Sequence, residues 1–392
     1  MQRLAILGVT GSIGKSTVEV VRQHPERLSI TALAAHGRDP DRLIALAEEF
    51  RPELVAVVDP EAAARVQARL PPGVRLECGE DALLAAATCS SVDKVVAAIV
   101  GAAGLRPVEA ALLAGRSVAL ANKEALVVAG PLLVALARAR AAEILPIDSE
   151  HVALHQALRC GTREEVRRLV LTASGGPFLR RDRATFGEIA PAEALRHPTW
   201  SMGAKISVDS ATMMNKGLEL IEATHLFELP ASAIDVVVHP QSILHSFVEY
   251  RDGSWLAQLS VNDMVFPIQY ALAWPERWAN DFPRLGLAEL GALELLPLDH
   301  ERFPAVGVAR RALAQNASAP AVLNAANEVA VGAFLAGRIP FPAIVRLVEA
   351  VLDEQAAADD TALPDIATAL AWNDWARAKA AERIAALAPG AP

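Results

Sequence analysis

Up to about residue 148, short β-branched and apolar runs alternate with Ala/Leu/Glu/Arg stretches whose apolar positions recur at helical period. That rhythm is the mark of βαβ units and a parallel sheet. It predicts strands over 3–8, 28–35, 54–59, 94–100, 117–121 and 143–148, with helices such as 40–50 and 105–114 between them. Val95 to Val100 is apolar throughout, which predicts a strand covered on both faces.

Beyond residue 148 the pattern changes. A strand over 167–173 leads into a stretch from Ser174 to Lys205 rich in Gly, Pro, Arg and Thr, read as a long, mobile loop. Loops longer than about 12 to 15 residues inside compact domains are usually lids, binding loops or disorder. Strands are predicted over 234–238, 242–250 and 254–261, the last two joined by the hairpin signal Asp252-Gly253. A Pro-rich connection near 275–304 precedes an Ala-rich tail of helical period without a strand candidate. The reading is an α/β protein in three parts. Residues 1–148 form a Rossmann-like parallel sheet and 149–285 an α+β catalytic domain with a lid at about 174–205. A linker at 286–303 leads to a C-terminal helical bundle over 304–392.

Composition narrows the function classes. A chain of 392 residues with 53% hydrophobic and 21% charged residues is globular and too long for one core, so a single small binding module is excluded. The net charge of −9, without a Lys/Arg stripe, removes nucleic acid and anionic membranes as partners. Cys78, Cys89 and Cys160 form no CxxC pair and read as small buried side chains in a reducing compartment. The longest apolar stretch, Val95–Leu105, has eleven residues and two glycines, short of the roughly 20 a membrane helix needs, and no targeting segment is visible. A soluble, cytoplasmic protein is expected.

The first strand ends in Gly8-Val9-Thr10-Gly11-Ser12-Ile13-Gly14, and a helix follows from about Ile13 to Arg22. Strand, glycine-rich turn and helix N-terminus make a phosphate site, because backbone N–H groups and the helix dipole point at its occupant. A P-loop would need glycine where Val9 stands, and a mere packing turn is the bland alternative. After the second strand comes His36-Gly37-Arg38-Asp39; an Arg there accommodates the 2′-phosphate of NADP, whereas an acidic residue favours NAD. A surface turn would look the same.

Three further segments carry candidate chemistry. Ala121-Asn122-Lys123-Glu124-Ala125-Leu126 opens a helix at the carboxyl end of a strand, the ligand side of a doubly wound sheet. Only six lysines stand against 31 arginines, so Lys123 and Lys216 suggest a need for a compact ammonium, with a solvated helix-start lysine as the alternative. In Pro146-Ile147-Asp148-Ser149-Glu150-His151, an extended backbone would let Asp148 and Glu150 converge on a hard divalent cation such as Mg²⁺ or Mn²⁺. The competing reading is a helix N-terminus capped by Ser149. The run 205–223, read as a helix from about Ser210, places Asn215, Lys216 and Glu219 on one face. Ser210, Asn215 and Lys216 suit a phosphate monoester and Glu219 a metal, against a plain Lys216–Glu219 surface pair that leaves Gly217 unexplained. Glu150-His151 with His155 is not a zinc-protease motif. His239 and His245 read as satisfied core or edge residues, and His225 and His300 have no independent case.

Together with LTASGGPF (171–178), HPTWSMG (197–203), HPQSILHS (239–246) and LNAANE (323–328), these motifs resemble the 1-deoxy-D-xylulose 5-phosphate reductoisomerase family along essentially the whole chain. The resemblance implies a homodimer that uses NADPH and Mg²⁺ or Mn²⁺ to rearrange and reduce 1-deoxy-D-xylulose 5-phosphate to 2-C-methyl-D-erythritol 4-phosphate. It implies Asp148, Glu150 and Glu219 as metal ligands, with Lys123, Ser149 and Glu150 facing the substrate's oxygens. Ser174, His197, Ser210, Asn215 and Lys216 match the remaining substrate contacts, mostly around the phosphate. Thr10, Gly11, Ser12, Ile13, Asn122, Glu124 and Gly203 match cofactor contacts. Around His36 the chain departs from the family's Gly-Lys/Arg-Asn by one extra residue and an Asp, which bears on Gly37, Arg38 and Asp39 as 2′-phosphate contacts. The alternatives are a plain NADP-dependent dehydrogenase, which would need no metal and no carbon rearrangement, and a regulatory protein that binds NADPH without turnover.

Overall fold

A computed structural model describes residues 1–200, 202–358 and 362–386. The chain divides into two compact units. The first comprises Met1–Ala125, Leu133–Val152 and Asp263–Pro283; the second comprises Leu126–Leu132, Ala153–Asn262 and Arg284 onward.

In the first unit, β1 (Gln2–Leu7), β2 (Leu28–Ala35), β3 (Leu54–Val57), β4 (Arg75–Cys78), β5 (Lys94–Ala97), β6 (Ser117–Leu120) and β7 (Ile144–Pro146) form one sheet. Its order is β4-β3-β2-β1-β5-β6-β7, with every pair parallel. The order reverses between β1 and β5, so the carboxyl ends there open the crevice in which such sheets bind ligands. Leu4, Ile6, Leu33, Val55 and Val96 are fully buried, as strands covered on both faces require. The Lys94 strand stops at Ala97, and Val100, expected within it, is 72% exposed. β4 escaped the sequence reading because its RLEC pattern is a polar, half-exposed edge strand. Cys78 on that strand and Cys160 are exposed, so only Cys89 is the buried thiol expected of all three.

The segment Asp263–Pro283 belongs to this unit rather than to the 149–285 domain of the sequence reading. Helix Val265–Ala273 buries Val265, Ile268, Ala271 and Leu272 in the same core as Leu4 and Ile6, and the Ala271 carbonyl accepts the buried Lys94 ammonium at 2.9 Å. A helix this apolar has no solvent face to offer, so it closes a core.

The second unit is built on β8 (Val166–Ala173), β9 (Ile234–Val238), β10 (Leu244–Tyr250), β11 (Trp255–Leu259) and β12 (Leu296–Pro297), in the order β11-β10-β8-β9-β12. β8 and β9 run parallel and the other pairs antiparallel. Alternation sends Leu169, Leu171, Ile234 and Val248 into a core shared with helices Met214–Leu226, Ala305–Gln315, Ala319–Leu335, Ala343–Ala356 and Ile366–Ala386. The opposite face carries Arg168, Asp235, Phe247 and Trp255. The described residues beyond 304 form helices and their connections, as the Ala-rich period predicts, while the linker contributes the two-residue edge strand β12.

Candidate active site

In the first unit the glycine turn follows β1 at the reversal point of the sheet. Gly8 has φ +88°, and a Cβ there would lie 2.6 Å from the Ala98 carbonyl oxygen; one on Gly14 would lie 2.4 Å from that of Val9. Two of the three glycines are thus required by packing, which gives the bland reading its due. Gly11 does something else. It occupies the N-cap of helix Ser12–Gln23 without a side-chain cap, and Gly11 and Ser12 are exposed. The first turn of a helix carries N–H groups that its own backbone cannot satisfy, so an uncapped, exposed start is open to an anion. Arg38 is exposed just past β2, whereas the Asp39 carboxylate is spent on capping helix Pro40–Phe50 by accepting the Arg42 N–H at 3.1 Å. Asp39 therefore reads as a cap, and Arg38 remains the cation at that strand end. Gly37 has φ +114° and its Cβ position is filled by Ala62.

Asn122 caps helix Lys123–Ala139, accepting from the Ala125 N–H at 2.9 Å and donating to the Ile99 and Gly101 carbonyls and to Glu124. This cap aims Lys123 across the carboxyl ends of the strands. The Lys123 ammonium, 6% exposed, lies 3.0 Å from Asp148 Oδ2. The strand reading of 143–148 holds only to Pro146. Helix Ser149–Ala157 starts at once, and the Val152 N–H bonds the Asp148 carbonyl at 2.9 Å. Asp148, Ser149 and Glu150 therefore stand at a helix N-terminus and do not alternate along a strand. Asp148 takes the start position expected of Ser149, whose hydroxyl instead donates to Glu150 Oε2 at 2.5 Å. Even so, Asp148 and Glu150 bring carboxylate oxygens within 4.8 Å of each other. The two carboxylates are hard, anionic oxygen donors held at a positive helix end beside a buried lysine, where their charge is tolerated.

In the second unit the 205–223 run is broken in two. Helix Ala204–Thr212 ends at Met213, which is left-handed with φ 63°, and helix Met214–Leu226 begins directly after. Thr212 makes the joint: its hydroxyl donates to the Asp209 carbonyl and accepts the Met214 N–H, each at 3.2 Å. Ser210 thus lies in the last turn of the first helix rather than at the start of a single one. Asn215, Lys216 and Glu219 do share a face of the second. Asn215 donates to Glu219 Oε1 at 2.5 Å, and the Lys216 ammonium pairs with Glu219 Oε2. Lys216 and Glu219 are 3% and 0% exposed, so the plain surface-pair reading fails. Gly217 proves to be a packing residue: a Cβ would lie 3.0 Å from that of Ala309 on helix Ala305–Gln315.

Ser174, directly after β8, bonds His197 Nε2 at 2.9 Å, while His197 Nδ1 accepts the Thr199 and Trp200 N–H groups at 3.2 and 3.0 Å. With Nδ1 accepting, the proton sits on Nε2 and Ser174 accepts it, leaving the serine's own proton to donate elsewhere. Gly176 (φ +64°) lets this loop reach the Ser210 carbonyl, 2.8 Å from where a Cβ would sit. The long-loop expectation needs trimming. Phe178, Phe186, Ile189 and Ala194 are core residues and 183–188 and 191–194 are short helices, so among the described residues the stretch that is neither packed into the core nor helical is 195–200 with 202–203. Ser201 lies outside the described residues, and Trp200 is half-buried.

Reading the chain alone overlooked two buried groups. His151 is fully buried, with Nδ1 3.4 Å from Asp148 Oδ2; the signal was its place three residues past Asp148 on a helix. Lys94 was hidden inside an apolar strand, and burial pulls its ammonium down to about 8. His239 and His245 are satisfied by the Glu294 carbonyl and the Ser260 hydroxyl, as the bland reading holds. His225, packed against Gly130, is pushed down to about 4 by burial.

Three family models match the chain in sequence. They are 1-deoxy-D-xylulose 5-phosphate reductoisomerase over residues 4–130, its C-terminal domain over 144–227, and the DXP reductoisomerase C-terminal domain over 259–379. The reductoisomerase of Desulfosudis oleivorans is 49% identical over 391 residues, covering 99% of this chain and 100% of the relative. That of Moorella thermoacetica is 49% identical over 381 residues, 97% of each chain. A crystal structure of DOX-P reductoisomerase in complex with NADPH, fosmidomycin and magnesium superposes with a TM-score of 0.92 at 43% identity over 100% of both chains. The Zymomonas mobilis enzyme in complex with NADPH gives 0.91 at 40% identity, covering 98% of this chain and 99% of that one.

Proposed function

The chain belongs to the 1-deoxy-D-xylulose 5-phosphate reductoisomerase family, and from that premise we propose that it rearranges and reduces 1-deoxy-D-xylulose 5-phosphate to 2-C-methyl-D-erythritol 4-phosphate with NADPH and Mg²⁺ or Mn²⁺. The observation that carries this reading is the Asp148–Glu150 carboxylate pair beside buried Lys123 at a helix N-terminus. A plain dehydrogenase has no use for paired hard oxygen donors. Asp148, Glu150 and Glu219 are the proposed metal ligands, and their oxygens suit a hard divalent ion. When bound, the ion supplies Lewis-acid stabilisation of the oxyanionic charge of the rearrangement, and NADPH supplies the hydride.

The chain's own residues do the positioning. Lys123 and Ser149 face the substrate's oxygens, and the ammonium balances charge that grows there. Ser174, His197, Ser210, Asn215 and Lys216 receive the phosphate, His197 fixing the Ser174 hydroxyl so that its proton points to an acceptor. One helical turn carries both Lys216 and Glu219, so the phosphate end and the metal end are set at a fixed spacing. Thr10, Gly11, Ser12, Ile13, Asn122, Glu124 and Gly203 line the cofactor, and Arg38 reads its 2′-phosphate. Segment 195–203, with Trp200 and Met202, is the proposed lid that excludes water during reduction.

We further place the enzyme in the cytoplasm, where its free thiols stay reduced, and assign it a homodimer. The open face of the second sheet supports the dimer: Phe247, Trp255 and Leu295 stand there, with Trp255 46% and Leu295 48% exposed. The test of the activity is NADPH oxidation with the deoxyxylulose phosphate, with and without Mn²⁺. Turnover that needs both substrate and metal is expected; metal-independent turnover would return the dehydrogenase alternative.

A further inference from the structure

The LNAANE motif of helix Ala319–Leu335 finds no role in the substrate, metal or cofactor contacts above. Its two asparagines are fully buried, and each points at a carboxylate. Asn324 donates to Glu328 Oε1 at 3.0 Å, and Glu328 in turn pairs with Arg377 of helix Ile366–Ala386. Asn327 donates to Asp209 Oδ1 at 2.7 Å, across 118 residues of sequence. The other oxygen of Asp209 takes the Lys205 ammonium at 3.0 Å.

Asp209 is 1% exposed. A carboxylate taken out of water at that depth costs stability unless both oxygens are satisfied, and a hydrophobic residue of similar size would pack at no such cost. Both oxygens are satisfied here, and a buried ion pair standing where an apolar residue would pack as well points to a function other than stability. Its location supplies one: Asp209 directly precedes Ser210, and its carbonyl accepts the Thr212 hydroxyl that makes the joint at Met213. The joint decides where Ser210, at the end of one helix, stands relative to Asn215 and Lys216, at the start of the next. The joint packs into the unit's core through Val208, Ala211, Met213 and Met214, and the Asp209–Asn327 bond adds a directional tie to a helix that is buried along most of its length.

We propose that Asp209 and Asn327 are positioning residues that set the phosphate-binding end of the active site. They hold the 204–212/214–226 joint against helix Ala319–Leu335, and Lys205 neutralises the buried charge. The proposal rests on the reading of Ser210, Asn215 and Lys216 as phosphate contacts. Neither residue touches the substrate. Their loss loosens the donors around the phosphate while leaving the nicotinamide and the carboxylates at Asp148 in place.

The test uses the full-length enzyme and three variants: Asn327→Asp, Asp209→Asn, and the exchange of both, Asp209→Asn with Asn327→Asp. The exchange reverses donor and acceptor, so the bond reforms while the amide oxygen introduced at position 209 still meets Lys205. For each single variant, KM for the deoxyxylulose phosphate and the inhibition constant of inorganic phosphate should rise together, roughly tenfold. KM for NADPH and kcat at saturation should stay within about twofold, a split that distinguishes positioning from general loosening. The exchange variant should recover most of the loss, giving a coupling that a double-mutant cycle reads directly. A folded single variant with unchanged substrate KM overturns the proposal, as does an exchange variant that recovers nothing. If the single variants do not fold, the exchange decides: an unfolded exchange variant makes the pair core structure only. A wild-type protein without turnover of the deoxyxylulose phosphate, and without inhibition by phosphate, refutes the functional reading instead.

Discussion

The two units place their candidate residues by different physical means. In the first, helix starts do most of the placing: an uncapped backbone start at Gly11, a strand-to-helix turn at Asp148, and at Asn122 one side-chain cap. In the second, buried side-chain pairs do it: Lys216 with Glu219, Asn215 with Glu219, and Asp209 with Lys205 and Asn327. Backbone placement tolerates change in the side chains around it, because the orienting groups belong to every residue. Side-chain placement does not, since removing one partner strands the other inside the protein. The same chemical change should therefore cost more in the second unit than in the first.

Glu219→Gln is the strongest test of that contrast. It removes the charge that neutralises Lys216 and, on the proposed assignment, a metal ligand. Turnover should fall about 10³-fold at saturating Mn²⁺, and stability should fall by roughly 1–3 kcal/mol because the buried ammonium exchanges its charged partner at position 219 for a neutral one. Steady-state kinetics alongside thermal melts read both. Turnover within tenfold of wild type would break the assignment of Glu219.

The lid comes next. If 195–203 orders over bound substrate, protease should nick the free enzyme there, and a phosphorylated substrate analogue with metal should suppress the cut. The packed stretch around Phe178 and Phe186 should resist in both states. Trp200→Ala should lose roughly 10- to 100-fold in kcat with little change in melting temperature. Equal cleavage with and without ligand, or a melting temperature that falls while kcat stays, would make Trp200 a packing residue.

This contrast also explains what could be read from the chain alone. The parallel sheet was legible because its strands are buried on both faces and its punctuation is strong; only the polar edge strand β4 was lost. The site residues were legible as types and spacings: Asn215, Lys216 and Glu219 share a face whatever precedes them. Their local backbone was less so. The helix start at Ser149 was one of two readings the chain left open, and the left-handed Met213 was not legible at all, because it carries no turn-forming side chain. Gly217 misled because the Ala309 methyl that needs its missing Cβ lies far along the sequence. The bond between Asp209 and Asn327 joins residues too distant for any periodicity to connect.

Arg38→Ala probes the backbone-built side, where a milder effect is expected. Arg38 is exposed and its neighbour Asp39 is engaged as a cap, so the mutation should leave the fold intact. The ratio of kcat/KM for NADPH over NADH should drop roughly tenfold, the worth of one charge-assisted contact at a surface site. An unchanged ratio would mean that the 2′-phosphate is read by other residues.

The smallest effect is expected at Lys94, which lies in the first unit but is placed as the second unit places its residues, by burial. Its ammonium is held by the Ala271 carbonyl, and burial brings it from 10.5 to about 8. Between those two values the unfolded chain carries a proton on this lysine that the folded chain has released. Unfolding then takes up a proton, so folding stability rises with pH across about 8 to 10.5 as far as this group is concerned. Below 8 the folded protein bears the full penalty of a buried charge, at most about 3 kcal/mol for a shift of this size. Lys94→Met fills the same volume without the charge. It should raise stability at pH 7 by roughly 1–2 kcal/mol, less than the full penalty because the Ala271 carbonyl loses its donor. The variant should also flatten the rise in stability above pH 8, with activity at pH 7 unchanged. Denaturant melts of both proteins at pH 7, 8, 9 and 10 read the difference. Parallel pH curves would show that Lys94 titrates normally and that the carbonyl bond, not the burial, governs its charge.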